Sequence, residues 1–247
     1  MILYCGDTGL REAASYLAGV MAHFSIPFDY LASNQKFEDE LPLRPYKGII
    51  LSDYPSRNFS PDQLLKLKER VRQGMGLLMI GGWASFTGMN REYTETGLRE
   101  ALPVLMEGED DRVNSWQPCV IEKKKDHAIV EGLPFDEFSP SVGGFNRFQA
   151  KSDAEIILTV RPIGVSRKED RLVFSPYPDT DPLLVTGHYG SGRVAAFASD
   201  VAPHWVGGLV DWGDSRVRVR AEGAGQREVG NWYAAFFRNL IRWVIKG

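Results

Sequence analysis

Apolar residues come in unbroken runs in the first third of the chain and in shorter, punctuated runs later. Residues 1–5, 28–31, 47–53 and 76–82 each read as a strand, and 76–82 is apolar without alternation. A strand needs that pattern when both faces of its sheet are covered. Between them, residues 11–24 place Ala14, Leu17, Ala18, Met21 and Phe24 at helical spacing, with Thr8 as the expected N-cap. Ser60-Pro61-Asp62 opens a second helix with proline at its first position, and Leu64, Leu65, Leu67 and Val71 carry it to Gly74. The first hundred residues therefore read β-α-β-β-α-β-loop-α, the alternation of a doubly wound parallel sheet.

The second half predicts short strands at 119–122, 155–160, 172–174, 183–186 and 193–199. Residues 183–199 form a hairpin around Tyr189-Gly190-Ser191-Gly192. Residues 231–245 close the chain as a helix whose face carries Trp232, Ala235, Phe236, Leu240, Trp243 and Val244, expected to pack on the sheet. Two stretches read as irregular insertions, about 106–118 and 206–230; the second contains Arg216, Arg218, Arg220 and Arg227. With 247 residues, a single domain spanning 1–247 is the default.

Charge and cysteine content narrow the partners. A formal net charge of -3 gives no electrostatic footprint for nucleic acid. No apolar run is long enough to span a membrane, and no secretory leader pattern opens the chain. Cys5 and Cys119 form no disulfide framework and no zinc-type spacing. The expectation is a cytoplasmic protein that needs no metal or cofactor.

In an open parallel sheet, ligands bind beyond the carboxyl ends of the strands. Those ends nominate Gly6-Asp7-Thr8, Ser52-Asp53-Tyr54, Gly81-Gly82-Trp83-Ala84-Ser85-Phe86, and Ser199-Asp200 with Pro203-His204-Trp205. Candidate ligand-binding residues are Asp53, Tyr54, Gly82, Trp83 and Trp205. Candidate catalytic residues are His204, Asp200 and Ser85. Aspartates after strands also cap turns, and indoles usually pack. A histidine beside a carboxylate, however, is a general-base arrangement.

The run Gly74-Met-Gly-Leu-Leu-Met-Ile-Gly-Gly-Trp-Ala-Ser-Phe-Thr-Gly88 resembles the nucleophile-elbow region of class I glutamine amidotransferase-like proteins. More closely, it is similar to the bacterial subgroup called "putative glutamine amidotransferases". Gly144-Phe-Asn146, Asp181-Pro-Leu-Leu-Val185, Gly190 to Asp200 and Pro203-His204-Trp205 are similar to that subgroup's later signatures. The trehalose-utilisation (ThuA-like) proteins are more distant relatives. The resemblance implies an α/β fold, a flavodoxin-like three-layer α/β/α sandwich with a mostly parallel sheet, here with added β-hairpin elements in the second half. It also implies an elbow of the form Gly-x-Cys-x-Gly, whose cysteine attacks glutamine with a histidine base. This chain departs from that pattern: Trp83 stands at the nucleophile position, Ser85 replaces the second glycine, and His204 is not followed by a His-x-Glu carboxylate. A Gly-x-Ser-x-Gly elbow is absent too, because Trp83 and Thr87 occupy its glycine positions.

Three expectations result. The first is an amidotransferase-like protein without the nucleophilic cysteine, which binds a small polar metabolite at the strand ends and lacks glutaminase activity. The second is a hydrolase or isomerase on a sugar-like substrate with His204 as general base. The third is a homo-oligomeric assembly module using the 206–230 segment and the aromatic C-terminal helix.

Overall fold

The computed structural model describes residues 1–39, 44–106 and 108–246. In chain order the strands are β1 (Ile2–Gly6), β2 (Phe28–Ala32), β3 (Gly48–Ser52), β4 (Gly76–Ile80), β5 (Val104–Leu105), β6 (Arg112–Lys123), β7 (Ser141–Asn146), β8 (Gln149–Ala150), β9 (Glu155–Lys168), β10 (Arg171–Pro176), β11 (Asp181–Tyr189), β12 (Gly192–Phe197), β13 (Arg216–Val219) and β14 (Arg227–Gly230). The α-helices are α1 (Ser15–His23), α2 (Pro61–Arg72), α3 (Pro203–Val206) and α4 (Asn231–Val244).

The main sheet runs β2-β1-β3-β4-β12-β11-β9-β6-β7, with β10 paired to β9 outside that path. From β2 to β12 every pairing is parallel. From β12 to β7, and between β9 and β10, every pairing is antiparallel. The chain moves from β1 outward to β2, then returns to build β3 and β4 on the other side. Right-handed crossovers in opposite directions put α1 and α2 on opposite faces. α4 packs beside α1 and against β4 and β12, so the parallel half is a three-layer α/β/α sandwich.

Burial explains the unbroken runs: every residue of β1, β3 and β4 is buried. α4 fills its layer with fully buried Tyr233, Phe236, Phe237 and Leu240, and Phe197 of β12 meets the rings of Phe236 and Phe237, each at 5.6 Å. The β11–β12 hairpin closes over Gly190-Ser191, with Gly190 at φ +60°. α2 starts on a complete capping box: Gln63 N–H donates to Ser60 Oγ at 3.2 Å, and Ser60 N–H donates to Gln63 Oε1 at 2.8 Å.

Several local expectations shift. Thr8 caps no helix; α1 begins at Ser15, and residues 9–14 run as turns. The 106–118 stretch is not all loop, because β6 begins at Arg112, before a register shift between Asn114 and Cys119. The 206–230 stretch is ordered as a 3-10 turn (Gly207–Asp211) and the β13–β14 hairpin. That hairpin lies on α1, where Val219 Cγ2 would be 2.7 Å from a Cβ at Gly19. Arg227 donates to Ser15 Oγ at 2.7 Å and Arg11 O at 2.8 Å. The apolar side of this segment and most of the aromatic face of α4 are therefore consumed within the chain.

Ser60→Ala removes the acceptor for Gln63 N–H and should cost about 1 kcal/mol. A fall in Tm of about 2–4 °C, read by differential scanning calorimetry, is expected.

Candidate functional site

The strand order reverses between β1 and β3, and that switch point is where an open sheet leaves a crevice at its carboxyl ends. Asp7 follows β1 and Asp53 follows β3. The segment leaving β12 brings Asp200 into electrostatic range of both.

Asp53 occupies a left-handed conformation at φ +52°, one that aspartate tolerates better than most residues. Its N–H donates to Ser85 Oγ at 3.1 Å, and its Oδ1 accepts from Ala84 N–H at 2.7 Å. The carboxylate lies on Gly82, where a Cβ would come within 2.2 Å of Oδ1; Gly82 is also at φ +154°. Only glycine leaves this space free. Asp200 is buried, with a side chain 4% exposed. Its Oδ1 accepts from Val201 N–H at 2.5 Å. Its Oδ2 lies 3.2 Å from Nε2 of His204, whose side chain is 54% exposed on the short helix α3.

Burial pushes the Asp53 carboxyl up to about 7, and the charge of Asp200 adds to the rise. Burial likewise pushes Asp200 up to about 7, with Asp7 adding to it. Two neighbouring carboxyls, Asp200 buried and Asp53 half-buried, resist ionising together, which favours a retained proton. Tyr4 adds a further polar group within electrostatic range of Asp200 and Asp7. It is wholly buried, its hydroxyl has no hydrogen-bond partner among the described residues, and the phenol would touch a Cβ at Gly6.

The elbow after β4 is held from the far side. Asn146 Oδ1 accepts from Gly82 N–H at 2.8 Å, while its Nδ2 donates to Gly82 O at 3.1 Å and to Asp111 Oδ1 at 2.7 Å. Asp111 also accepts from Thr87 N–H at 3.0 Å and Gly88 N–H at 2.9 Å. No α-helix starts at this turn; residues 82–96 run as turns before a 3-10 helix at Gly97–Glu100. A nucleophile elbow is a strand-to-helix turn, so the helix as well as the cysteine is missing here.

Of the residues nominated from the sequence, the structure brings Asp53, Gly82, Asp200 and His204 together. Trp83 is half exposed at the rim with the Arg112 guanidinium 4.6 Å from its ring centroid. Ser85 is buried, and its oxygen is engaged by Asp53 N–H. Tyr54 lies in the core, its hydroxyl donating to Gln35 O at 2.8 Å. Trp205 is buried against Gly144 and donates to Asn114 Oδ1 at 2.7 Å. Cys5 and Cys119 are buried thiols pushed up by burial, Cys5 strongly, which disfavours a thiolate at either position. Sequence reasoning left Tyr4, Asp111, Arg112 and Asn146 out of the site and noted Asp7 only as a strand end. The Gly144-Phe-Asn146 motif was the one signal that could have drawn attention to Asn146.

Residues 8–218 match the family model described as "Putative glutamine amidotransferase". The chain belongs to this family. Two cytoplasmic proteins of Salmonella typhimurium are similar to it along their whole length. One is 26% identical, covering 98% of each chain with a TM-score of 0.74. The other is also 26% identical, covering 99% of each chain with a TM-score of 0.75. A cold-adapted β-galactosidase from Rahnella has the fold alone in common: 12% identity and a TM-score of 0.55, over 98% of this chain and 31% of the other. No match is found among curated proteins. No helix among the described residues is long and apolar enough to cross a membrane, and no group of three or more His, Cys, Asp and Glu residues among them is placed to hold a metal ion.

Two expected outcomes test the geometry. Because the folded state holds the protons of Asp53 and Asp200 more tightly than the unfolded chain, stability from these groups is fully present below about pH 4. It is lost as pH rises through about 7. Asp53→Asn should therefore raise Tm at pH 8 by about 3 °C or more, with a much smaller gain at pH 4. An equal change at both pH values would refute the buried carboxyl pair. Asn146→Ala leaves Gly82 N–H and Asp111 short of partners in the interior and should cost about 2–4 kcal/mol in urea unfolding.

Proposed function

We propose that this member of the family binds a small polar metabolite rich in hydrogen-bond donors, such as hydroxyl or amino groups, at the carboxyl ends of β1, β3 and β12. We further propose that it does so without hydrolysing glutamine. The observation that carries this reading is the convergence of half-buried Asp53 and buried Asp200, with exposed His204 at their edge, on the switch point of a sheet whose elbow has no thiol. A pair of carboxyl groups that shares a proton both accepts and donates hydrogen bonds, so hydroxyl or amino groups of a ligand suit it. Glutamine hydrolysis through a thioester needs an accessible thiolate. Trp83 cannot supply one, and both cysteines are buried.

A second reading has its own support. His204 lies 3.2 Å from Asp200, so the carboxyl can orient the imidazole as a general base toward a sugar-like substrate, in a hydrolase or isomerase reaction. A cytoplasmic setting is supported by the description of the two Salmonella relatives as cytoplasmic proteins.

A glutaminase assay should show no ammonia above background. A thermal-shift panel of polyols, sugars, amines and amino acids should contain a compound that raises Tm, as binding to the folded state requires. That shift should vanish in Asp53→Asn and His204→Ala, each compared with its own ligand-free Tm. A shift that survives both substitutions would place binding elsewhere. Chemical conversion of the shifting compound by wild type, lost in His204→Ala, would favour the second reading.

A further inference from the structure

Three acids end at one place in this sheet. Asp7 follows β1, Asp53 follows β3 and Asp200 follows β12, and each lies within electrostatic range of the other two. Asp7 and Asp53 form no ion pair with lysine or arginine among the described residues, and Asp200 has only the His204 imidazole, 3.2 Å away. Other carboxylates are paired outright, as Asp110 is by Arg112 and Asp181 by Arg147. Asp7 Oδ1 accepts from Thr8 N–H at 2.7 Å and from Thr8 Oγ1 at 3.1 Å, and Asp53 Oδ1 accepts from Ala84 N–H. Oδ2 of each accepts no hydrogen bond among the described residues.

Tyr4 supplies an observation of a different kind. Its side chain shares a face with Gly6, two residues further along β1, and its ring lies across that glycine: a Cβ there would be 2.8 Å from Cζ and 3.0 Å from the hydroxyl oxygen. The phenol therefore runs along the strand toward its carboxyl end, with Asp7 and Asp200 in electrostatic range. The hydroxyl is wholly buried and has no partner among the described residues. The two neighbouring phenols are committed elsewhere: Tyr30 of β2 donates to Asp7 O, and Tyr233 of α4 donates to Val201 O at 2.7 Å. Buried polar groups are almost always bonded, so an orphan aimed at a strand end marks a place where a partner belongs.

The unused oxygens point to one kind of ligand group. Asp7 Oδ2, Asp53 Oδ2 and the Tyr4 hydroxyl can all accept, and they stand in a surplus of negative charge. A ligand hydroxyl brings one donor and no charge, whereas a primary ammonium brings three donors, no acceptor and a positive charge. An opposite charge among carboxyls favours their ionised form, so a cation relieves the repulsion that a neutral ligand leaves in place. We propose that the strand-end crevice is a site for a primary alkylammonium group, held by Asp7 and Asp53 with Tyr4 at its inner end. This rests on the reading that a small polar metabolite binds at these strand ends, and it narrows the ligand from hydroxyl or amino compounds to amines. The titratable groups that face the site are Asp7, Asp53 and Asp200, with Tyr4, Tyr30 and Tyr233 beneath and His204 at the edge. Binding of a cation releases the proton that the carboxyls retain, so affinity for an amine rises from pH 6 to pH 8.

Thermal-shift titrations with pairs that exchange one hydroxyl for one amine test this: ethylene glycol and ethanolamine, glycerol and 2-amino-1,3-propanediol, 1,4-butanediol and 4-amino-1-butanol. Ionic strength is held constant, and tetramethylammonium serves as a cation without N–H donors. At least one amine should raise Tm more at pH 8 than at pH 6, while its hydroxyl counterpart and tetramethylammonium leave it unchanged. Asp7→Asn should weaken that amine about 10-fold or more, as loss of a charged hydrogen bond does. Tyr4→Phe keeps the ring; it should weaken the amine roughly 3-fold while leaving the ligand-free Tm unchanged or higher, because an orphaned hydroxyl is removed. A hydroxyl compound that shifts Tm as much as its amine counterpart overturns this inference and leaves the strand-end site standing. Silence from every compound, here and among the sugars and amino acids, overturns both. Unchanged amine affinity in folded Asp7→Asn or Tyr4→Phe also overturns the proposal; if either variant does not fold, the wild-type preference between paired compounds and its pH dependence decide.

Discussion

One side-chain amide ties the outermost strand of the antiparallel half to the turn after β4. Asn146 stands at the end of β7, on the antiparallel flank, and bonds both backbone groups of Gly82, at the end of the parallel strand β4. Its remaining donor reaches Asp111, which in turn fixes Thr87 and Gly88. The turn after β4 has no helix of its own to satisfy its backbone, so these groups take the helix's place. A buried amide with every bond made is favourable, whereas one left partly unpaired is costly. The position of the strand-end crevice therefore depends on a residue from the far edge of the sheet.

The same turn sets the electrostatics of the site. Because Gly82 has no side chain, the Asp53 carboxylate can lie directly on the backbone. From there it senses Asp200 and is partly removed from water. Burial of two acids at one place lowers stability at neutral pH, and proteins tolerate such a cost where a proton or a ligand is to be held. The neighbouring imidazole of His204 stays open to solvent, so the arrangement has a dry side and a wet side.

How far this was readable from the sequence varies by residue. Unbroken apolar runs located β1, β3 and β4 because each is buried on both faces, and proline at the first helical position located α2. Asp53, Gly82, Asp200 and His204 were readable because strand ends are where such a sheet binds ligands. Tyr54, Ser85 and Trp205 came from the same rule, but residue type does not tell whether a polar or aromatic side chain after a strand turns into the crevice or into the core. In this fold they turn inward, toward Gln35, Asp53 N–H and Asn114 respectively. Thr8 has the chemistry of a helix cap, yet the chain makes several turns before α1 starts, and a local signal cannot measure that delay.

The sequence by itself determined the alternation of helices and strands in the first half, the hairpin at Gly190-Ser191, the absence of a thiol at the elbow and the family. Each of these depends on local spacing or residue identity. Only the tertiary structure decided that the second half adds an antiparallel wing to the sheet, that Asn146 and Asp111 replace an elbow helix, and that one hairpin stands free of the body. Those features depend on pairings between residues tens of positions apart, which short-range patterns of polarity do not encode.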